Sequence, residues 1–400
     1  MPELKPILWL TRWPPYSPLR GGDIDYSREL LENLATLTPV HALAFDVGFT
    51  PPNSNGRLRW TLVRGQERSM VSSVVSPHPN VAHRHHSADY LAAAVKAADG
   101  CSAIVVDFIG MFGFAEPLKK LLSRPSAPPI IVIDHNYEHA VRRQMAKAEM
   151  RPWLKVALAW DAFKAGRLET SVLQLSDGVV ALTDADSMAL KPISGGKPTI
   201  TIPPGYEGPV LRERNISEVT PRRLVVLGGH EAQHKKMVLE RALEALNERG
   251  IQHRLIVDIV GPGSHADLER RFDGFNFMGY VDDLPAYMSS VRLGFIPDEI
   301  GGGFKLRALS HAFLRTPMLA VDQALNGMGF TSGRDYFGFD NLAAAAAGVE
   351  PIIDDFARLN TVQEAAFALC NEQYNWAERG RDLLNLIEEV VQARDGKRQA

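Results

Sequence analysis

The sequence has little cysteine, no excess of either charge and no long apolar run. Its 400 residues include only Cys101 and Cys370, which excludes a disulfide framework and favours a reducing compartment. A formal net charge of −3 excludes the strongly basic class of nucleic-acid binders. A membrane-spanning helix needs about 18 consecutive apolar residues, and the sequence contains no such run. These absences together predict a cytoplasmic protein.

What the chain does contain is an alternation of short apolar runs with helical patterns. Ile7–Leu10 and Val40–Phe45 are typical of buried strands, and a helical pattern from residue 25 to residue 37 separates them. The alternation predicts an α/β fold in which parallel sheets are covered by helices on both faces. It stops between residues 203 and 222, where prolines, glycines and charges show no period, and then restarts. We therefore predict domains at 1–204 and 223–374, a linker at 205–222 and a final helical segment at 375–400.

Glycine-rich turns follow several of the predicted strands, and the segment from Gly301 to Ser310 is the richest. Three successive glycines let a ligand approach the backbone closely, and a helix that starts there directs its free N–H groups to the same point. With Lys305 and Arg307 one turn into that helix, the pattern predicts a diphosphate site. A flexible turn before a surface helix is the alternative.

Partial motifs occur in a fixed order along nearly the whole chain. They are Pro14-Pro15 before Gly21-Gly22, the run from Asp134 to Glu138, Glu169 before the run 176–186, the run from Gly279 to Leu284, the glycine segment 301–310, and Asn375-Trp376 before a last helix. This ordered set of motifs resembles that of the GT-B glycosyltransferases, specifically the retaining group called family four. The resemblance implies two Rossmann-like parallel-sheet domains with a cleft between them and a C-terminal helix that crosses back to the first.

The resemblance also implies an activity. Such enzymes move a sugar from a nucleotide diphosphate donor to a glycan, lipid or small-molecule acceptor with retention at the anomeric carbon, often in polysaccharide biosynthesis. No metal is implied, because lysine, arginine and a helix N-terminus can stabilise the departing diphosphate. No cofactor is expected beyond the donor itself, a UDP- or GDP-sugar. The N-terminal domain is expected to bind the acceptor and the C-terminal domain the donor.

The motifs that match the family supply candidate site residues. The candidate catalytic residues are His135, Lys235, Lys305 and Arg307. Donor binding falls to Gly229, His230, Gly261, Tyr280, Val281, Gly301, Gly302, Gly303, Phe304 and Ser310. Acceptor binding falls to Gly21, Gly22, Asp23, Asp134 and Glu138. His135 is expected to orient the donor sugar or move a proton, or else to be a hydrogen-bonded histidine at a domain edge.

Two departures from the family pattern leave other functions open. The two acidic residues usual at the donor site align with Gly302 and Ser310, and serine is shorter and uncharged. The usual arginine–lysine pair aligns with His230 and Lys235, and histidine is fully charged only below its pKa, near about 6.5 when unperturbed. A GT-B protein that acts as a binding or regulatory partner is therefore an alternative, as is a nucleotide-sugar epimerase or hydrolase.

Two further clusters have a structural and a functional interpretation. His78, His83, His85 and His86 lack the helical spacing of a metal site and lie among prolines, so a solvated loop is predicted rather than metal binding. The interrupted helical region from residue 142 to residue 175 mixes basic residues with Trp153 and Trp160. It is either a helix packed on the sheet with solvated lysines or a surface that contacts an anionic membrane at its cytoplasmic face.

Overall fold

The chain is organised as two compact units. A computed structural model describes residues 5–16, 21–52, 56–65, 68–122, 127–229, 233–263, 265–299 and 303–399. The first unit comprises Met1–Pro204, Gly302–Phe304 and Trp376–Ala400, and the second comprises Gly205–Gly301 and Lys305–Asn375. Among the described residues, no helix combines the length and the hydropathy needed to cross a bilayer.

The first unit is built on a seven-stranded parallel sheet. Its strands are β1 (Ile7–Leu10), β2 (Val40–Phe45), β3 (Leu58–Val63), β4 (Ala103–Asp107), β5 (Ile130–Asp134), β6 (Gly178–Ala181) and β7 (Thr199–Thr201). They pair in the order β3-β2-β1-β4-β5-β6-β7. Five of them, β1, β2, β4, β5 and β6, are buried along their whole length, as expected when helices cover both faces of a parallel sheet.

Eight helices described in the first unit follow or cover these strands. They are α1 (Gly22–Leu37), α2 (Asn80–Arg84), α3 (Ala88–Ala98), α4 (Ala115–Leu121), α5 (Glu138–Ala148), α6 (Pro152–Leu175), α7 (Asp184–Leu190) and α14 (Arg379–Gln399). Ser87 caps α3 through its hydroxyl, which accepts from the Tyr90 N–H, and Pro152 occupies the first turn of α6, where a missing N–H costs nothing.

The last helix of the chain packs on the first unit. A Cβ at Gly380 would lie 2.6 Å from the carbonyl carbon of Asn33 in α1, and one at Gly178 would lie 3.2 Å from a methyl group of Val390. Glycine at both positions therefore lets α14 approach α1 and β6 closely. This packing is the return of the C-terminal helix that the resemblance implies.

The second unit is built on a six-stranded parallel sheet. Its strands are β8 (Arg223–Leu227), β9 (Ile256–Val260), β10 (Asn276–Gly279), β11 (Leu293–Ile296), β12 (Met318–Val321) and β13 (Phe337–Phe339), paired in the order β10-β9-β8-β11-β12-β13. The helices described here are α8 (Gln233–Glu248), α9 (Ala266–Arg271), α10 (Leu284–Ser289), α11 (Leu306–Phe313), α12 (Leu342–Ile353) and α13 (Phe356–Gln373). The α/β prediction, with two parallel sheets, is confirmed.

The predicted linker contains neither helix nor strand, yet it is anchored in the second unit. Arg214 donates to the carbonyl oxygens of Arg315, at 2.8 Å, and Val291, and to the Thr316 hydroxyl at 3.0 Å. Burial lowers the pKa of Arg214 to about 10, because its acceptors are neutral and do not repay the lost hydration of the charge.

The solvated loop predicted for the histidine cluster is wrong, and the edge strand β3 was not predicted. In β3, Arg59 and Thr61 alternate with apolar residues on a half-exposed strand. Residues 71–75 and 80–84, near the histidine cluster, form a short 3-10 helix and α2. His83 and His85 are buried, and burial lowers the pKa of His83, so this segment is packed rather than solvated.

Candidate active site

Each sheet has one point at which the strand order reverses, and ligands of open parallel sheets bind outside the carboxyl ends of strands at that point. In the first unit the reversal lies between β1 and β4, and in the second between β8 and β11. These two edges hold many of the residues selected from the sequence.

A buried histidine–aspartate pair lies at the reversal point of the first sheet. The ring Nε2 of His135, just after β5, lies 2.7 Å from Oδ1 of Asp107, the last residue of β4. Because a carboxylate only accepts, Nε2 donates this hydrogen bond. The rings of Tyr26 and Phe108 meet the imidazole edge to face, at 5.2 and 5.9 Å, and fix its orientation.

Phe108 adopts a backbone conformation that is uncommon for its residue type. Its φ is +77°, in the region that usually selects glycine. Strain of this kind persists where the surrounding structure holds the residue in place. Here the Arg12 guanidinium stacks on the Phe108 ring with its carbon 4.5 Å from the ring centroid, and on Trp13 at 4.3 Å.

The glycine turn after β1 brings a predicted acceptor residue to the same place. Gly21 caps α1 and Gly22 begins it, so Asp23 lies in the first turn, where it pairs with Arg12. A small pocket is lined by Arg12, Asp23, Phe108 and His135 together with residues that follow β1 and further residues of α1. The structure therefore brings predicted residues of two separate motifs, Asp23 and His135, into one pocket.

The other predicted acceptor residues belong to a buried acidic cluster. Asp134, at the end of β5, is fully buried, and burial followed by repulsion from Glu169 raises its pKa well above its usual range. Both oxygens of Glu169 accept backbone N–H groups, of Glu138 at 2.6 Å and His139 at 2.8 Å. Burial nevertheless raises the pKa of Glu169 to about 8.

Glu138, in contrast, is ion-paired at the start of α5, where Arg142 Nε lies 3.0 Å from its carboxylate. Arg142 also pairs with Asp161 of α6. Asp134 therefore lies inside the fold and Glu138 is held by a cation, and their roles as acceptor ligands stay predictions.

The edge of the second sheet is made of glycine turns packed on one another. The N–H of Gly228 donates to Val260 O at 2.9 Å, and that of Gly261 donates to Gly279 O at 2.7 Å. A Cβ at Gly261 would lie 2.0 Å from Gly228 O, so only glycine fits. Gly229 lies in this turn beside Pro262, and Tyr280 and Val281 follow directly, with Tyr280 63% exposed.

Arg307 is held at the reversal point of the second sheet. It forms a buried ion pair with Asp298, which follows β11, and it donates to Leu227 O at 3.3 Å. A Cβ at Gly228 would lie 2.8 Å from its Nη1. The positive charge predicted to support a diphosphate is therefore already opposed by a carboxylate, and its catalytic role stays a prediction.

Beneath Arg307 lies a neutral histidine. His311 is fully buried and its ring fills the space above Gly294, where a Cβ would lie 2.3 Å from the ring. Burial, and then the charge of Arg307, lowers the pKa of His311 to about 3, so it adds no charge to this edge.

The two lysines of the prediction lie in or next to the first turns of helices at this edge. Lys305 is the N-cap residue of α11, and Lys235 lies in the first turn of α8; both are partly exposed. His230, Gly301 and Gly302 lie outside the described residues, so the structure leaves their predicted roles as they were.

Ser310 occupies the position where an acidic residue is usual. Its hydroxyl hydrogen-bonds to the phenol of Tyr206, whose pKa burial raises to about 12. The Tyr206 ring stacks on Phe313 at 4.3 Å between centroids. At this position the structure therefore has two hydrogen-bonded hydroxyl groups, of Ser310 and Tyr206, in place of a carboxylate.

The described part of the glycine segment makes a close approach to the backbone of the first unit, to which Gly303 and Phe304 belong. Gly303 has a φ of +68°, and a Cβ there would lie 1.9 Å from Asn136 Oδ1 and 2.7 Å from His135 O. Phe304 packs against the core cluster of β1 and α1. Glycine is required at residue 303, and the neighbour that requires it is the segment carrying His135.

Sequence reasoning missed two residues that the structure brings to these edges, Asp107 and Asp298. Each is an acidic residue at or just after the end of a buried strand, next to Phe108 and Pro297 respectively, and that position was the available signal. Among the described residues, no group of three or more His, Cys, Asp and Glu side chains is placed to hold a metal ion.

The architecture is shared with solved structures. A sucrose-phosphate synthase from Thermosynechococcus elongatus superposes with a TM-score of 0.70 at 16% identity, over 97% of this chain and 100% of that one. A trehalose 6-phosphate synthase from Burkholderia multivorans gives 0.63 at 12% identity over 100% and 99%. The HepE protein of Anabaena in complex with UDP-glucose gives 0.61 at 12% identity over 97% and 100%.

The fold is GT-B. No protein-family model matches the sequence, and no curated protein matches it. At identities this low the GT-B likeness establishes the fold, and the activity has to be argued from the site. Within the GT-B fold, the first unit is the N-terminal domain and the second unit is the C-terminal domain.

Proposed function

We propose that the chain is a glycosyltransferase that moves a sugar from a nucleoside diphosphate sugar to a glycan, lipid or small-molecule acceptor. One observation carries the proposal: in a GT-B fold, the carboxyl edge of the second sheet carries glycine turns in which a side chain at Gly228 or Gly261 would clash. Bare backbone lets a diphosphate approach closely, and the N-termini of α8 and α11 at the same edge can donate N–H groups to an anion. A UDP-sugar is the first donor to test, because the HepE structure contains UDP-glucose, and a GDP-sugar is the second.

The transfer is proposed to proceed with retention and without a metal. Cleavage of the bond between the anomeric carbon and the phosphate oxygen leaves negative charge on the diphosphate, and Lys235, Lys305 and the start of α11 are proposed to stabilise it. The acceptor hydroxyl attacks from the same face, and the departing phosphate oxygen takes its proton. No protein nucleophile is required.

His135 is proposed to bind rather than to react. Asp107 lies 2.7 Å from its Nε2 and fixes the orientation of the ring, which is proposed to contact a sugar hydroxyl of the acceptor. The pocket that His135 shares with Asp23 and Arg12 is the proposed acceptor site of the first unit. Asp107 acts through His135 and is therefore a positioning residue.

A GT-B protein that binds a nucleotide without transferring a sugar is the second candidate. Two observations favour it: Ser310 is engaged by Tyr206, and Arg307 is engaged by Asp298. Both reduce the charge and the hydrogen bonding available to a ribose diphosphate compared with the usual family pattern.

A thermal-shift panel of UDP, GDP, TDP and ADP with matched lysine variants tests the site. A nucleotide at about 100 times its Kd adds about 2.7 kcal/mol of stability. Lys305→Ala and Lys235→Ala should lose most of this shift. Lys236→Ala is the control and should keep the shift, since Lys236 is the neighbour of Lys235 in α8 and its ammonium group pairs with Asp267 of α9 at 3.0 Å. No shift with any of the four nucleotides would contradict a donor site.

Product analysis then separates the remaining functions. Incubation of UDP-glucose with a mixture of glycan and lipid acceptors should give a product that retains the anomeric configuration. Binding without any turnover of the sugar nucleotide would favour the second candidate. Free sugar or an epimer of the donor as the main product would favour a hydrolase or an epimerase on the same fold.

A further inference from the structure

Helix α6 carries an apolar stripe that faces away from the core. Trp153, Val156, Trp160 and Phe163 follow spacings of three, four and three residues, which place them on one side of a helix. Trp153 and Val156 are each 70% exposed. The packed residues of α6, among them Ala162, Ala165 and Val172, lie at other positions, so this stripe is additional to the one that holds the helix in the fold.

A neighbouring segment extends the stripe into a face. The short helix Val71–Val75 lies beside α6, because Trp160 Nε1 donates to Val74 O at 3.0 Å and Lys164 Nζ donates to Ser73 O at 2.6 Å. Val71 and Val75 are 80% and 90% exposed. We call the whole surface the apolar face; its residues are Met70, Val71, Val74, Val75, Trp153, Val156, Trp160 and Phe163.

The charges around the apolar face have one sign. Every exposed charged side chain between residues 143 and 167 is basic, and they are Arg143, Lys147, Arg151, Lys155 and Arg167. The two acidic side chains between these positions are not exposed, since Glu149 is buried and bonded to Arg151 and Asp161 is paired with Arg142. This concentration of positive charge occurs in a chain whose formal net charge is −3.

The same side of α6 continues into a groove with a different lining. Phe163 and Arg167 join the apolar face to a groove of about 880 Å³, whose other walls include Lys119, Tyr137 and His139. The lining includes two cationic side chains, Arg167 and Lys119, and no carboxylate. The apolar face therefore adjoins a groove whose charged lining side chains are both cationic.

We propose that the apolar face docks on a lipid bilayer that contains anionic lipids, with an anionic headgroup in the groove beside Arg167. Tryptophan side chains prefer the boundary between headgroups and acyl chains, and basic side chains beside them bind the negative surface. A second copy of this chain is a poorer occupant, because a symmetric interface would set the five basic side chains of each copy against those of the other. This inference does not depend on the glycosyltransferase proposal.

Vesicle sedimentation of the full chain tests the docking. The chain should sediment with vesicles of phosphatidylcholine mixed with phosphatidylglycerol and remain free with phosphatidylcholine alone. The double variant Trp153→Ser, Val156→Ser should lower the bound fraction at least about tenfold, and Lys147→Glu with Lys155→Glu should remove the preference for anionic lipid. Circular dichroism checks that each variant is folded. We expect folded variants, because the substituted side chains are exposed.

A matched control and two outcomes decide the matter. Met188 of α7 is 76% exposed and lies outside the apolar face, so Met188→Ser should bind vesicles like the parent chain. Absence of vesicle binding, or binding that the double variant retains, would overturn the proposal. A dimer in sedimentation velocity that the double variant dissociates would overturn it as well, in favour of a second copy.

Discussion

The strand order of each sheet reverses once, between β1 and β4 in the first and between β8 and β11 in the second. The two reversal points differ in whether side chains or backbone groups line them. Side chains line the first reversal point: Oδ1 of Asp107 lies 2.7 Å from Nε2 of His135, and the Arg12 guanidinium stacks on the rings of Trp13 and Phe108. Backbone lines the second reversal point: the turns at Gly228, Gly261 and Gly279 pack on one another, and the nearby Arg307 forms an ion pair with Asp298.

The proposed function gives this contrast a physical reason and a consequence. A site that recognises varied hydroxyl groups needs directional side-chain donors and acceptors, whereas a diphosphate is held well by N–H groups at bare backbone. Substitution should therefore alter the chemistry at the first edge and the packing at the second.

Gly261→Ala is expected to have the largest effect of the substitutions that test this contrast. The new Cβ would lie 2.0 Å from Gly228 O at a backbone φ of +136°, and a backbone atom cannot move aside as a side chain does. We expect a loss of about 4 kcal/mol or more in the free energy of unfolding of the second unit, measured by urea denaturation.

Gly333→Ala separates the clash from the effect of φ alone. Gly333 has a φ of +81° with nothing within 4 Å of its would-be Cβ, so it should lose only about 1 kcal/mol. Equal losses in the two variants would show that the glycine edge is not closely packed.

The second test asks what Arg307 does. Asp298→Asn leaves a buried guanidinium without its counter-charge and should cost about 3 kcal/mol of unfolding free energy. The exposed Asp282→Asn serves as a control and should cost almost nothing. If the diphosphate competes with Asp298 for Arg307, the Asp298→Asn variant should also bind UDP more tightly in calorimetry; weaker binding would show that the ion pair shapes the site instead.

The smallest effect concerns the acidic cluster of the first edge. Burial raises the pKa of Glu169 from 4.5 to about 8 and that of Asp134 well above its usual range. Between these values the folded state keeps protons that the unfolded state has released, so stability falls as pH rises from 4.5 to 8. Asp134→Asn fixes the neutral form and should raise the free energy of unfolding at pH 8 by about 1 kcal/mol or more. The gain should be smaller at pH 5, which is closer to the ordinary pKa of 3.8 at which the unfolded state begins to release its proton.

The pH profile of unfolding measured by denaturant titration provides the check. Asp89→Asn, at an exposed position of α3, should leave the profile of the parent chain unchanged. A profile that Asp134→Asn does not flatten would mean that Asp134 is ionised in the fold.

The sequence predicts most of the strands because their signals are local. Apolar runs such as Ile130–Asp134 sit between breakers and show their burial in composition alone. The edge strand β3 was not predicted, although Arg59 and Thr61 alternate with apolar residues as expected for a half-exposed strand. The strand β13 was not predicted because three residues give no period. The glycine turns are predicted correctly because successive glycines directly after an apolar run are a local signal of a turn.

Local pattern determined the two parallel sheets, the break between the units and the positions of the glycine turns, since spacing and residue type specify which residues a strand or helix buries. Tertiary structure alone decided which side chains meet. His135 finds Asp107 across 28 residues of chain, Arg307 is neutralised by Asp298, and one stripe of α6 is left facing outward. These outcomes depend on how separate strands and helices pack in three dimensions, and distance along a chain does not encode that packing.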